Sequence, residues 1–334
     1  REHGTEPSHV ALNTTQGWGY RACISFLLWL KRNKSSKLTE QVSQITQQIL
    51  EQGKTNFWVS YIAGEFLPWI YDLDRAAGQE IISKIMNSND SACAYAAWDG
   101  YVRGRFWKPV YVELEPSLEN FLKSLSGYTP PWKDRHNVVH DVGDRMAVAY
   151  LFKWTSEVDK KLQLFFDTQD LAARAGIVSF IGTTLLQKRE RDESKGDLPS
   201  VDRLLEFWDW RLSASGDVQE LKEFGWWVES DYLPRKKMLE RLLLTLKKSS
   251  GQIDPLMRVS DILIESFEQY RLEVLEAFLL IVEGGEVQRI VIEFRDGSLK
   301  PLISAGEASS NSQERMLARK LKDALLKFGM NNYI

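Results

Sequence analysis

The stretch NTTQGWGYRACISFLLWLKR, residues 13–32, shows how this chain folds. Its apolar side chains recur every three or four positions, which is the period of an α-helix and not of a strand. Asn13 or Thr14 opens the segment as an N-cap, and a basic pair closes it. One apolar face of the predicted helix carries Trp18, Ala22, Phe26, Trp29 and Leu30.

The same periodicity continues along nearly the whole chain. Glycine and proline separate the segments, as at Gly53, Pro109 and Gly251. A helix pair recurs about every 40 residues, the spacing of HEAT-type α-solenoids. We therefore predict an all-α fold, an α-solenoid of HEAT/TPR-like pairs with about 14–16 helices and no large sheet. The predicted helices lie near residues 14–32, 38–52, 56–70, 76–87, 91–102, 109–125, 136–153, 159–166, 168–188, 200–213, 217–228, 231–248, 253–268, 270–283 and 311–328.

The composition of the chain indicates few domain boundaries. The β-branched segment EVQRIVIEF, residues 286–294, has no partner strand and is interpreted as helix. The charged segment KRERDESKGD, which begins at residue 188, is typical of a solvated loop. The chain begins with Arg1 and not with Met, which indicates a fragment of a longer protein or a processed product. We predict a tail at residues 1–12, an N-terminal half of the array at 13–187, a linker loop at 188–199 and a C-terminal half at 200–334.

The overall composition is that of a soluble globular protein. Of the 334 residues, 43% are hydrophobic and 27% are charged, and the formal net charge is -3. These values exclude a disordered chain and a membrane protein. Cys23 and Cys93 both lie in apolar helical patterns and are expected to be buried, reduced thiols, which favours a cytoplasmic location.

The sequence has glycine patterns that resemble nucleotide sites, but neither satisfies the chemistry. Gly53-Lys54-Thr55 lacks the second glycine of a phosphate loop, since Gln48 stands at that position, and no strand precedes it. Gly17-Trp18-Gly19, with Ala22, fits a dinucleotide fingerprint only formally, because no strand precedes it either. We therefore predict no cofactor and no catalysis by this chain.

His136, His140 and Asp144 are the strongest candidates for chemistry. Their spacing of four residues places them on one helix face, and two imidazoles with a carboxylate can bind zinc or iron. Asn137 stands where a zinc protease helix has its glutamate, and all three ligands would come from one helix. A metal-dependent enzyme centred on these residues is thus the alternative, and a structural role is favoured.

A nucleic-acid-binding scaffold is the other alternative. Basic clusters occur at residues 31–34, 188–189, 235–237 and 247–248. Each lies at a predicted helix end, where cations complement the helix dipole. Binding of nucleic acid would require a continuous basic face and a larger excess of positive charge, so this partner is not favoured.

The chain is rich in tryptophan, with 12 residues. Most lie in apolar patterns and are expected in the core. Trp226 and Trp227 are adjacent, and neighbouring helical residues point about 100° apart, so one of the pair can face a groove. Aromatic and arginine side chains anchor protein partners. We therefore predict Trp226, Trp227 and Arg235 as partner contacts.

Several segments together resemble a known family. YIAGEFLPWIYDLD at 61–74, AAWDGYVRG at 96–104 and FGWWVESDYLPRKKMLERLLLTL at 224–246 carry this resemblance, together with residues 13–32 and the ending LKFGMNNYI. They are similar to the helical, HEAT/TPR-like C-terminal region of large bacterial and archaeal anti-phage defence proteins of the SIR2 or STAND type. Gln16 departs from the family, which tends to have arginine there.

The resemblance implies a function. In such proteins an effector domain, such as a SIR2-like or nuclease domain, precedes the helical region, and the helical region senses an invader's protein. We accordingly expect a non-catalytic protein-interaction or sensor module. Its partner would be a phage protein or another subunit, with no membrane partner.

Overall fold

The computed structural model describes residues 5–125, 129–132, 137–187, 199–214, 216–284 and 299–331. The described residues form helices joined by turns and contain no strand, so the prediction of an all-α fold is confirmed. The chain divides into two compact units, Arg1–Asp170 and Leu171–Ile334. The segment 286–294 and almost all of the predicted linker at 188–199 lie outside the described residues.

Unit 1 begins with a helix that the sequence did not predict. Its helices are α1 (Pro7–Asn13), α2 (Thr15–Arg32), α3 (Leu38–Gly53), α4 (Phe57–Leu73), α5 (Arg75–Ile81), α6 (Ser91–Arg103), α7 (Lys108–Leu125), α8 (Val138–Leu151) and α9 (Val158–Thr168). A π-helical turn, Ile82–Met86, extends α5. Short polar side chains begin several helices: the Thr14 hydroxyl accepts a hydrogen bond from the Gly17 N–H, and Asp74, Asp90 and Asn137 act in the same way.

Helices α4 and α6 form the closest contact in unit 1. Gly64 of α4 faces the Ala97 carbonyl of α6, and Gly100 of α6 faces the Tyr61 carbonyl of α4; a Cβ on either glycine would overlap that oxygen. The two backbones therefore approach as closely as glycine permits. Helix α4 also packs against α1, α2, α3 and α5, so it is the central helix of the unit.

The segment predicted as a tail, residues 1–12, is helical and packed where it is described. Val10 and Ala11 of α1 are buried, and α1 packs against α2 and α4. Gly17 of α2 lies against the Ala11 backbone, with no room for a side chain. Arg103 at the end of α6 binds Glu6 at 2.9 Å and the buried Asp99 at 2.7 Å. These contacts correct the prediction of a tail.

Unit 2 contains the remaining helices. They are α10 (Leu171–Phe180), α11 (Val201–Ala214), α12 (Val218–Leu221), α13 (Gly225–Val228), α14 (Arg235–Lys248), α15 (Leu256–Ser266), α16 (Arg271–Gly284), α17 (Lys300–Glu307) and α18 (Ser312–Lys327). A π-helical turn, Ile181–Leu185, extends α10. The single helix predicted at 217–228 is divided into α12, a 3-10 turn and α13.

An aromatic cluster forms the core of unit 2. Phe207 and Trp208 of α11 pack against Phe224 and Trp227; the Trp208 and Phe224 rings are stacked with centroids 4.8 Å apart. The indole N–H of Trp208 donates to the Thr245 hydroxyl at 3.0 Å. Trp227, the other buried indole of this cluster, donates to the Val178 carbonyl at 2.9 Å, so both N–H groups are satisfied.

A buried ion pair joins α11 and α12. The Arg211 guanidinium donates two hydrogen bonds to the Glu220 carboxylate, at 2.6 and 3.2 Å, and both residues are buried. Paired hydrogen bonds in this geometry satisfy both charges away from water. The pair therefore holds the short α12 against α11.

The glycine contact between α4 and α6 gives a direct test of this packing. We expect Gly100→Ala to lower the free energy of unfolding by about 3 kcal/mol, because the added methyl group overlaps the Tyr61 carbonyl. Urea unfolding measures the change. Gly19→Ala in α2 is the matched control, since a Cβ there meets no atom within 4 Å; it should raise stability by about 0.5–1 kcal/mol. Equal effects of the two substitutions would contradict the packing.

Candidate functional site

The largest exposed aromatic side chains of the described residues lie on one face of α2. Trp18 is 62% exposed, Trp29 is 56% exposed and Phe26 is 47% exposed. Together with Ala22 they occupy less than a quarter of the helix circumference, given 100° per residue. We call Trp18, Ala22, Phe26 and Trp29 the aromatic face of α2. Isolated exposed apolar residues are common, but a contiguous row indicates an interaction surface.

Helix α2 exposes this row because it is apolar on two opposite sides. Gly17, Ile24, Leu27 and Leu30 are buried against neighbouring helices. The face that the sequence pattern indicates is exposed except for Leu30, and Cys23, expected to be buried, is exposed as well. Periodicity identifies apolar faces but cannot say which of two meets the core.

Small residues surround the aromatic rings of this face. Gly19, Ala22, Cys23 and Ser25 are exposed and alternate with Trp18, Phe26 and Trp29. A Cβ on Gly19 would meet no atom of the described residues, so packing within the chain does not require glycine at this position. Glycine weakens a helix relative to alanine. The Phe26 and Trp29 rings are stacked, with centroids 5.9 Å apart. The result is a surface of ridges and recesses.

The C-terminal end of α2 is strongly basic. Arg32, Lys34 and Lys37 are exposed, and no ion pair of their side chains is found in the described part of the chain. We call these three residues the basic end of α2. Two other cations of this region are neutralised: Arg21 binds Glu65 at 2.5 Å and Lys31 binds Asp72 at 2.9 Å.

The predicted contact Trp227 is a core residue. It is 0% exposed, and its indole N–H donates to the Val178 carbonyl at 2.9 Å. Its ring packs against Phe207 and Phe224. The prediction that Trp227 contacts a partner is therefore wrong, because its side chain completes the aromatic core of unit 2.

Trp226 points away from that core, as expected for one member of the pair. It is half-buried and lines a groove with Leu186, Ile262 and Glu265. The Arg258 guanidinium lies 5.4 Å from the Trp226 ring centroid and binds Glu229 at 2.6 Å. Trp226 is thus accessible, but its exposed ring face is partly covered by an internal cation–π contact.

Arg235 has internal partners. Its guanidinium donates to the Val228 carbonyl at 3.4 Å and lies 3.6 Å from the Asp231 carboxylate. A cation at the last carbonyls of α13 satisfies groups that the helix end leaves without partners. These contacts give Arg235 a structural role; its predicted contact with a partner stays a prediction.

Two of the three residues of the predicted metal site lie in the described part of the chain. His136 lies outside the described residues, while His140 and Asp144 lie on α8. No group of three His, Cys, Asp or Glu side chains suitable for a metal occurs among the described residues. His140 Nε2 is buried and has no hydrogen-bond partner among the described residues.

Asp144 has a strongly perturbed acidity. Burial raises the pKa of Asp144 to about 8, and the nearby Asp141 adds to this effect, whereas Arg145 opposes it. Arg145 is held by the end of α6, where its Nε donates to the Val102 carbonyl at 3.0 Å. Asp144 therefore stays protonated in the folded protein near neutral pH.

The comparisons with known proteins give no match. No protein-family model, no curated protein and no solved structure matches this chain. None of the described helices has both the length and the apolar composition needed to cross a membrane.

The two adjacent tryptophans should respond differently to truncation. We expect Trp227→Ala to lower the free energy of unfolding by about 3–5 kcal/mol, because it leaves a cavity in the aromatic core. Trp226→Ala, the matched neighbour, should cost about 1 kcal/mol. Urea unfolding of both variants checks this. Comparable losses would mean that both indoles are core residues.

The pKa of Asp144 makes stability depend on pH in a defined direction. Between the ordinary aspartate pKa of about 3.9 and its folded value of about 8, the folded protein holds a proton that the unfolded chain lacks. The contribution of Asp144 to the free energy of unfolding therefore falls as pH rises from about 3.9 to about 8. Asp144→Asn should therefore raise the free energy of unfolding by several kcal/mol more at pH 8 than at pH 4.

The control for this pH effect is Asp167→Asn, which removes an exposed carboxylate of unit 1. Its effect on stability should be small and nearly independent of pH. Urea unfolding at pH 4, 6 and 8 measures both variants. A stabilisation by Asp144→Asn that is equal at all three values would contradict the raised pKa.

Proposed function

We propose that this chain is a protein-interaction module and that it docks a partner through the aromatic face of α2. The observation that carries the proposal is the row of exposed Trp18, Phe26 and Trp29 on a helix whose opposite side is buried. Tryptophan is among the residues that contribute most to binding when a partner buries them. Helix α2 is fixed by α1, α3 and α4, so the rings are presented on a rigid element.

The rest of the fold supports a scaffold role. In unit 1, helices two apart in the chain pack against each other, as α2 does with α4, α4 with α6 and α6 with α8. Stacked helix pairs of an α-solenoid have this pattern of neighbours. We propose on this basis that the chain is an α-solenoid of HEAT/TPR-like pairs, a class of fold that offers extended surfaces to partner proteins.

The wider setting rests on sequence resemblance alone. The chain resembles the helical C-terminal region of SIR2- or STAND-type defence proteins, and we extend the proposal to a sensor module of such a protein, in the cytoplasm. The partner would then be a phage protein or another subunit. An effector domain in the same gene product would support this setting.

Substitution of the aromatic face tests the proposed function. A photo-crosslinking amino acid at Ser25 should capture a partner in cells of the source organism, and Trp18→Ala with Trp29→Ala should abolish the capture. With the purified partner, the double variant should bind about 30-fold more weakly, which corresponds to about 2 kcal/mol. Circular dichroism and urea unfolding should show an unchanged fold, because both side chains are exposed.

The matched control removes exposed apolar side chains elsewhere. Leu244→Ala with Met257→Ala changes residues that are 48% and 50% exposed in unit 2. This variant should bind the purified partner as the wild type does. If the control and the Trp18/Trp29 variant bind equally well, or if no partner is captured from Ser25, the proposal is wrong.

A further inference from the structure

The segment that carries the aromatic face is basic. Residues 7–39 contain five Lys and Arg and no Asp or Glu, although the chain has 46 acidic residues in all. Two of the five cations are neutralised by Glu65 and Asp72 from α4. The basic end of α2 has no ion pair within the described part of the chain, so this end of the surface is complementary to an anionic group of a partner.

The shape of the aromatic face fits a helix. Its large residues, Trp18, Phe26 and Trp29, recur at helical spacing, and small residues lie between them. Helices pack by placing the side chains of one into the recesses of the other. Gly19 leaves open space beside Trp18 and allows a second backbone to approach closely.

The position of the cations does not favour a lipid surface, a nucleic acid or a second copy of this chain on the aromatic face. A lipid surface favours cations along the whole length of an amphipathic helix, and single-stranded nucleic acid favours a groove lined with cations beside the stacking rings. Here the unneutralised cations are confined to one end of the row. An antiparallel second copy would bring this basic end to a first helical turn without acidic residues, which gives no attraction.

A partner helix has one favourable orientation on this surface. Acidic residues are most stabilising in the first turn of a helix, where they complement its dipole. A helix antiparallel to α2 brings its first turn to the basic end of α2. The carboxylates of the partner then interact both with their own helix dipole and with Arg32, Lys34 and Lys37.

We infer that the partner binds through an amphipathic helix with an acidic N-terminal end, docked antiparallel on the aromatic face and the basic end of α2. This inference rests on the proposed function and specifies the chemistry of its partner. The apolar side of the partner helix lies against Trp18, Ala22, Phe26 and Trp29. Its acidic first turns lie against the three cations.

Labelled synthetic peptides test the inference by fluorescence anisotropy with the full chain. Three peptides have the length of α2, 18 residues, and share one leucine face. The first carries Glu in its first two turns, the second carries Glu in its last two turns, and the third carries Lys in its first two turns. We expect the first peptide to bind about tenfold or more tightly than the other two at low salt, and this advantage to shrink as salt is added.

Two charge-reversal variants sharpen the test. Arg32→Glu, Lys34→Glu and Lys37→Glu together should shift the preference to the Lys peptide. Lys236→Glu, Lys237→Glu and Lys320→Glu make the same change in net charge at exposed positions of unit 2 and should leave the preference unchanged. Trp18→Ala with Trp29→Ala should weaken all three peptides, since the apolar contact is common to them.

The possible outcomes separate the inference from the proposed function. Equal binding of the three peptides, lost in the Trp18/Trp29 variant, would overturn the charge preference and leave the docking function in place. Failure of all three peptides to bind would overturn the inference, while capture from Ser25 tests the function independently. Tighter binding of phosphatidylglycerol vesicles or a single-stranded oligonucleotide, or a dimer in sedimentation that depends on Trp18 and Trp29, would replace the acidic helix with that occupant.

Discussion

Unit 1 is organised by the direct approach of two helix backbones, α4 and α6. Glycines on both helices, Gly64 and Gly100, face a carbonyl of the other helix, and neither position has room for a methyl group. Close approach brings many flanking atoms into contact, and such contacts are individually weak but large in sum. Since α4 also packs against α1, α2, α3 and α5, the positions of these helices follow from the axis that this contact fixes.

Polar contacts then set the rotation of the N-terminal helices on that frame. Arg21 of α2 reaches Glu65 of α4, and Arg103 of α6 reaches both Asp99 and Glu6. Burial raises the pKa of Glu65, while Arg21 counteracts that rise. A part-buried carboxylate of this kind is stabilised only with its partner in place, so the Arg21–Glu65 pair favours one rotation of α2. That rotation turns Trp18, Phe26 and Trp29 outward.

The sequence predicts where the helices of this protein begin and end better than it predicts which of their faces are buried. Turn residues such as Gly53, Pro109 and Gly251 separate segments that agree closely with the observed helices, because backbone preferences at these positions are local. The sequence pattern does not indicate α1, because seven residues with only Val10 and Ala11 as buried hydrophobic side chains show too little periodicity. Tertiary packing supplies the information that the short segment lacks.

The candidate site shows the same division between local and tertiary information. The prediction that one of two adjacent tryptophans faces a groove is consistent with the position of Trp226. Which of the two tryptophans is buried depends on Val178 and Phe207, which contact Trp227 and are distant in sequence. On α2, both sides of the helix are apolar, and only packing decides that Leu27 is inside and Trp29 outside. The positive charge near the aromatic face can be predicted from the sequence alone, because residues 7–39 contain no Asp or Glu.

The two cysteines of the chain differ in a way that concerns the α2 surface directly. Cys93 is buried, and burial raises the pKa of its thiol, so it reacts slowly with oxidants. Cys23 is exposed beside the aromatic face. In air, two molecules can therefore join through a Cys23–Cys23 disulfide, which would place the two α2 helices side by side and restrict access to this surface. A reducing agent, or Cys23→Ser, keeps this surface open in purified material.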